Sequence, residues 1–335
     1  MLKGHQTWVF PNQPVIISSA AVGGPDEAKG PLAEDFDILH EDHWLAQKSL
    51  EKAEKVMLEE ACDKAIEKAN IQKGSINFML AGDLINQITP SSFSARTVGV
   101  PYLGIFGACS TSMEGLALAS LIIDSQAANY VLAGTSSHNL TAEKQFRYPN
   151  EYGSQKPATA HWTVTGAGVA IVGASGNGPR VTAATIGRIV DMGLSDPFNM
   201  GAAMAPAAVD TIGAHFRDLN IGPDHYDLIV TGDLGKVGHQ IAADLLKKHG
   251  FVIPEQSFTD CGLLIYSKEQ KLFAGGSGCA CCATVTYGHL LNRLRKGEWQ
   301  RILVIATGAL LSPLTFQQKE SIPCIAHAVA IESTV

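Results

Sequence analysis

One pattern occurs twice along this 335-residue chain, and it limits the fold more than any other feature. Residues 75–84 read as an apolar run closing on Gly82-Asp83-Leu84, and residues 226–234 repeat that run and close on Gly232-Asp233-Leu234. Each run is followed by a cysteine-bearing turn that opens an apolar helix: Phe106-Gly107-Ala108-Cys109 in the first case, Gly278-Cys279-Ala280-Cys281-Cys282 in the second. Each helix leads to another apolar run, ending in Gly134-Thr135 and in Thr307-Gly308. Laying Val131 on Val304 brings Cys109 onto Cys282, and the second copy then carries an insertion, placed in residues 251–275. A repeat this long exceeds the period of solenoid arrays. It implies two pseudo-symmetric α/β halves packed on each other, drawn here at 1–173 and 174–335.

Periodicity fills in the elements. Residues 15–19, 76–81, 130–133, 161–172 and 302–306 read as buried strands, because they are short apolar runs bounded by turn residues. Leu50, Ala53, Met57, Ala61 and Ala65 recur at helical spacing and place a helix over residues 44–70, stopped by Lys73-Gly74. Residues 112–125 form a helix of small and apolar side chains, and a second such helix runs from 278 to about 295.

Composition excludes several classes. The formal charge is −7, with no basic run and no basic-aromatic stripe, so nucleic acid is not an expected partner. Seven cysteines without a secreted spacing point to a reducing, intracellular setting. Residues 1–15 lack an unbroken apolar segment, so no signal peptide is expected. Residues 103–123 contain Glu114 and many small side chains, which suits a buried helix and not a membrane span.

Cys109 is the first candidate for chemistry. A thiol just before a helix lies near unpaired backbone N–H groups, whose dipoles favour a thiolate. The same groups can hold an oxyanion or a carboxylate. The position therefore suits acyl transfer or anion binding. Asp83 and Asp233 are related by the repeat: each either faces the cleft between the halves or caps its own turn. The Cys279-Ala280-Cys281-Cys282 run lacks the second ligand pair of a zinc site and reads as small residues at a packed helix start. Neither a metal nor a cofactor is assigned. Arg147 and Lys156, in a polar loop over residues 141–157, could bring positive charge to the cleft. Residues 193–206, with Met200 and Met204, read as a mobile cover, an interface segment or core filler.

The run Gly107-Ala108-Cys109-Ser110-Thr111-Ser112, before a small-residue helix, resembles the nucleophile turn of thiolases and ketoacyl synthases. That resemblance implies a duplicated five-layer αβαβα fold over nearly the whole chain, and by analogy a homodimer. In such condensing enzymes two groups from the second half, commonly His with Asn or His with His, serve the cysteine. Here the two matching places read Gly232-Asp233-Leu234 and Gly275-Gly276-Ser277-Gly278, with neither residue type. A non-catalytic protein is the expectation, unless His138, His161 or His239 substitutes as the base. The stretches Gly4-His5-Gln6-Thr7-Trp8 and His161-Trp162-Thr163-Val164-Thr165-Gly166 resemble more closely a stage V sporulation protein family of spore-forming bacteria. This second resemblance implies binding of dipicolinic acid, with or without calcium, for uptake into the developing spore. It also implies a peripheral place at the spore inner membrane beside membrane proteins of the same operon. Ligand contacts are then expected at Cys109, Asp83, Gly107, Ser110, His138, Asp233 and Ser277. The rival expectations are a Cys109-dependent acyltransferase acting on acyl thioesters and a structural component of a membrane transport complex.

Overall fold

The computed structural model describes residues 1–146 and 156–334. Arg147 lies outside the described residues. Ten strands carry the two halves. The first half holds β1 (Val15–Gly23), β2 (Phe78–Gly82), β3 (Tyr102–Gly104), β4 (Tyr130–Ser137) and β5 (Gly166–Gly173). The second holds β6 (Arg180–Thr185), β7 (Leu228–Thr231), β8 (Phe258–Asp260), β9 (Arg301–Ala309) and β10 (Cys324–Glu332). The first sheet runs β3-β2-β4-β5-β1 and the second β8-β7-β9-β10-β6, so the spatial order is the same in both. The sense is the same too. The inner pairs β2–β4 and β7–β9 are parallel, and β4–β5–β1 and β9–β10–β6 are antiparallel. The two sheets meet edge to edge where Arg180 pairs with Val15.

The strand residues alternate between two buried faces, as a period of two requires when helices cover both sides. Leu80, Val131 and Ala133 join the central core, while Met79, Ala81 and Leu132 turn to the outer one. In the second half Ile302, Val304 and Ala306 face the centre, and Leu303 and Ile305 face away. The first outer layer is α1 (Leu50–Ala69) with α2 (Thr89–Val98). The central layer contains α3 (Thr111–Asp124), which packs against strands of both sheets. The short helix α4 (Asn139–Phe146) sits at the strand ends. The second outer layer is α5 (Met200–Leu219) with α6 (Gly235–Lys248). The helical run Cys279–Thr284, Val285–Leu290 and Leu291–Arg295, together α7, completes the central layer; its middle segment is π-helical. These five layers are the αβαβα arrangement that the resemblance implied. Gly168 shows how tightly they close, since a Cβ there would stand 2.6 Å from the Ala283 carbonyl carbon.

Several expectations need correction. Helix α1 begins at Leu50 and not at 44, because the Ser49 side chain accepts from Lys52 N and caps it. It ends at Asn70, which takes the left-handed conformation that closes helices, ahead of Lys73-Gly74. Strands β1, β4 and β9 run several residues past their predicted ends, through small residues held by the sheet ladder. The predicted 161–172 strand is broken into Trp162–Thr163, which pairs with Gly276–Ser277, and β5. The repeat is also shifted. Phe78 pairs with Val131, and Leu228 pairs with Ile302, so Val131 answers to Ile302, two residues before Val304. Cys282 is therefore not the counterpart of Cys109. The cysteine beside the turn is Cys279, whose thiol donates to Ala108 O at 3.0 Å. Only part of the inserted length falls where it was placed: the chain passes from Gly104 to Thr111 in the first half but from Asp260 to Cys279 in the second, and further extra residues precede β8 at Phe258. The start of the Met-rich stretch is loop, and Met200 opens α5 with Met204 buried beneath it. No helix among the described residues is long and apolar enough to cross a membrane.

Candidate functional site

The Cys109 turn is built from its own hydrogen bonds. Ala108 has φ of 50°, a left-handed conformation that costs a non-glycine residue energy and marks a constrained turn. Ser110 N and Oγ both donate to Gly107 O, at 3.0 and 2.6 Å. Thr111 N and Oγ1 donate to Ala108 O, at 3.2 and 2.6 Å, and Gly107 N donates back to Thr111 Oγ1 at 3.0 Å. A Cβ at Gly107 would fall 2.6 Å from Ser110 Oγ and 2.8 Å from Glu114 Oε2, so a larger residue there would have to displace the Ser110 and Glu114 side chains. The first amides of α3 are thus satisfied inside the turn. The expectation that they are open to a ligand does not hold for Ser110 and Thr111.

The thiol itself departs from expectation as well. Burial, then the charge of Asp233, push the Cys109 pKa well above that of an ordinary thiol, and the Gly278 N–H pulls it down only in part. The helix dipole does not win, because the thiol is 8% exposed and a carboxyl group stands beside it. Asp233 accepts from Thr307 Oγ1 at 2.5 Å and from Gly278 N at 3.2 Å. Burial raises its pKa to about 7, with the Thr307 hydrogen bond opposing the rise. A thiol held neutral by burial and an acid with a pKa of about 7 therefore stand side by side.

A small pocket, partly open to solvent, adjoins this pair. Cys109, Phe106 and Ala108 form one side, and Ala142, Glu143 and Phe146 of α4 form another. Thr163, Ser277 and Gly278 make the floor, and Leu84, Met200, Ala309 and Leu311 close the rest. The walls are mainly apolar, with a few polar groups, which is the usual build of a small-molecule site.

Of the residues named from sequence, Cys109 and Ser277 line this pocket. Gly107, Ser110 and Asp233 lie just behind it. Asp83 does not line it. Its carboxylate accepts from Ile85 N at 2.8 Å and from Ser91 N and Oγ at 2.8 and 2.6 Å, so it fastens the turn after β2 to α2. His138 is also behind the wall. Its Nδ1 accepts from Leu140 N at 3.1 Å, so Nε2 carries the proton and donates to His43 O at 2.9 Å. Burial lowers its pKa to about 4, which leaves it neutral. Neither His161 nor His239 reaches the pocket: His161 packs against Gly201 and Gly235, and His239 stacks on Phe258 at 4.4 Å. Thr307, which fixes Asp233, was visible in sequence only as a strand end. Glu143 and Phe146, both on α4, and Leu311 carried no signal of their own, and Met200 was read only as part of the 193–206 stretch; the fold alone brings these three segments together. All seven cysteines are free and buried. No cluster of three metal-ligating side chains occurs among the described residues.

A family model described as Stage V sporulation protein AD (SpoVAD) matches residues 4–332. Stage V sporulation protein AD of Bacillus subtilis (strain 168) is 51% identical over 331 residues, covering 99% of this chain and 98% of that protein. Among solved structures, 3-oxoacyl-[acyl-carrier-protein] synthase III from Aquifex aeolicus VF5 superposes with a TM-score of 0.61 at 14% identity, over 95% of this chain and 99% of that one. A variant of Xanthomonas campestris OleA gives 0.61 at 17% identity, over 98% of this chain and 100% of that one. At these identities the two structures establish the fold and nothing finer.

Proposed function

The chain belongs to the stage V sporulation protein AD family, and from that premise we propose that it binds dipicolinic acid, without turning it over, for uptake into the developing spore. The observation that supports a binding role over catalysis is the Cys109–Asp233 pair. Burial and the neighbouring carboxyl hold the thiol in its neutral form, and among the described residues no histidine lines the pocket to draw off its proton. The aromatic ring of the ligand packs between Phe106, Phe146 and Leu311, and one carboxylate meets the floor hydroxyls of Ser277 and Thr163. Cys109 contacts the ligand as a small wall residue. Gly107, Ser110, Asp83, His138 and Asp233 shape the walls from behind. Calcium enters, if at all, with the ligand.

In this proposal the protein works at the spore inner membrane, held by membrane proteins of the same operon, and as a homodimer. Support for pairing comes from the edge strand β3, where Leu103 is half exposed, and from Phe106 close by at 51% exposure. Calorimetric titration with dipicolinate tests the binding role, with and without calcium and with the monocarboxylate picolinate as control. Saturable heat with the dicarboxylate supports it; no heat with any of them refutes it.

One observation favours an acyltransferase instead: the constrained Ala108 turn presents Cys109 to the pocket. That reading requires a thioester on Cys109 after mixing with an acyl thioester, visible by intact-mass analysis.

A further inference from the structure

None of the described residues lining the pocket is basic, yet a cation lies just behind its wall. Lys156 Nζ donates to Glu143 Oε1 at 2.7 Å, and its side chain is only 3% exposed. The ammonium also stands 4.8 Å from the ring centroid of Trp162, whose neighbour Thr163 forms part of the pocket floor. A charge so far from water costs several kcal/mol unless an anion meets it. An aromatic face offsets only about 0.5–2 kcal/mol of that cost. Lys156 therefore requires an anion, and Glu143 supplies one from the pocket wall itself.

We propose that Glu143 is an internal stand-in for a carboxylate of the ligand. On binding, one carboxylate of a dicarboxylate takes Lys156, and the Glu143 side chain turns outward into solvent. The second carboxylate meets the floor hydroxyls. The exchange keeps the buried charge balanced in both states, so the cation is never left alone. It also explains selection by charge: a neutral ligand cannot displace Glu143, and a monocarboxylate can serve Lys156 or the floor but not both. Because Glu143 competes with every incoming anion, the pocket binds less tightly than its contacts alone would allow, and release is assisted. This deepens the dicarboxylate-binding role above and rests on it.

The test is calorimetric titration of the full chain with dipicolinate at fixed ionic strength, for wild type, Glu143→Gln, Lys156→Met and the double variant. Glu143→Gln should bind about tenfold more tightly than wild type, because the competing anion is gone while the cation remains. Lys156→Met and the double variant should each bind at least about tenfold more weakly than wild type. The double variant buries no lone charge and should melt near the wild-type temperature. Should Glu143→Gln fail to fold, the double variant decides, and wild-type affinity in it overturns the inference. Wild-type binding with no gain in Glu143→Gln overturns the stand-in role alone. Absence of wild-type binding overturns the pocket assignment and this inference with it.

Discussion

The Asp233 carboxyl stands beside the Cys109 thiol and, after burial, is what pushes the thiol pKa up, whereas the thiol pulls the Asp233 pKa down and burial alone accounts for most of its rise. In a condensing enzyme the residue at this place takes a proton from the cysteine and steadies the charge that develops on the acyl oxygen. A buried acid whose pKa lies near 7 does neither well, because its anion raises the thiol pKa and repels an oxyanion. The constrained turn is present, and among the described residues no histidine lines the pocket beside Cys109.

Thiol chemistry reads this directly. Cys109 should react with iodoacetamide at pH 7.5 more slowly than glutathione does, since the thiolate is the reactive form and burial and Asp233 both oppose it. Asp233→Asn removes the opposing charge and should accelerate labelling several-fold. The rate is measured on the Cys109 peptide by mass spectrometry. Rapid labelling of the wild type would indicate an activated thiol and favour the acyltransferase.

The same carboxyl should leave a mark on stability. The folded-state pKa of Asp233 is raised from 3.8 to about 7. Its favourable contribution is therefore complete below about pH 4, where folded and unfolded chains both hold the proton. It is lost as pH rises from there through 7, since the unfolded chain ionises first. Asp233→Asn should thus raise Tm relative to wild type more at pH 8 than at pH 5. Scanning calorimetry at both values checks this, and an equal difference would show that Asp233 does not hold its proton in the folded state.

The close contact between β5 and α7 should tolerate no side chain. Gly168→Ala puts a methyl group against the backbone of Ala283, which cannot rotate away. Overpacking of this kind costs about 1–3 kcal/mol or more. Denaturant unfolding should show a loss in that range, similar to the ~2–5 kcal/mol expected for the cavity left by Leu116→Ala in the same layer. No change in Gly168→Ala would mean that α7 is not seated on β5.

The duplication was legible because burial on both sheet faces writes continuous apolar runs, and because Gly82-Asp83-Leu84 and Gly232-Asp233-Leu234 mark equivalent strand ends. The strand limits were not, since Thr135-Ser136-Ser137 and Thr307-Gly308-Ala309 have no apolar pattern and are held by their neighbours. The two-residue error between Val304 and Ile302 has the same origin: similar apolar runs fix a strand but not its register. Cys109 was legible as a pocket residue from its turn. Its raised pKa was not, because that depends on burial and on Asp233, which only folding brings alongside. Asp83 could be read as a cap or as a ligand contact from sequence, and its hydrogen bonds to Ile85 and Ser91 show the cap. The pairing of Glu143 with Lys156 left no trace in spacing at all.

The central claim is that the pocket beside Cys109 takes a dicarboxylate without covalent chemistry. It is tested most directly by titrating dipicolinate into wild type, Cys109→Ala and Ala142→Phe side by side. Ala142 lines the pocket from α4, so a phenyl ring there fills the space the ligand needs. The account predicts saturable binding of one dipicolinate per chain in wild type, affinity within about threefold of that in Cys109→Ala, and no binding in Ala142→Phe. Equal affinity in all three would place the site elsewhere and contradict the account.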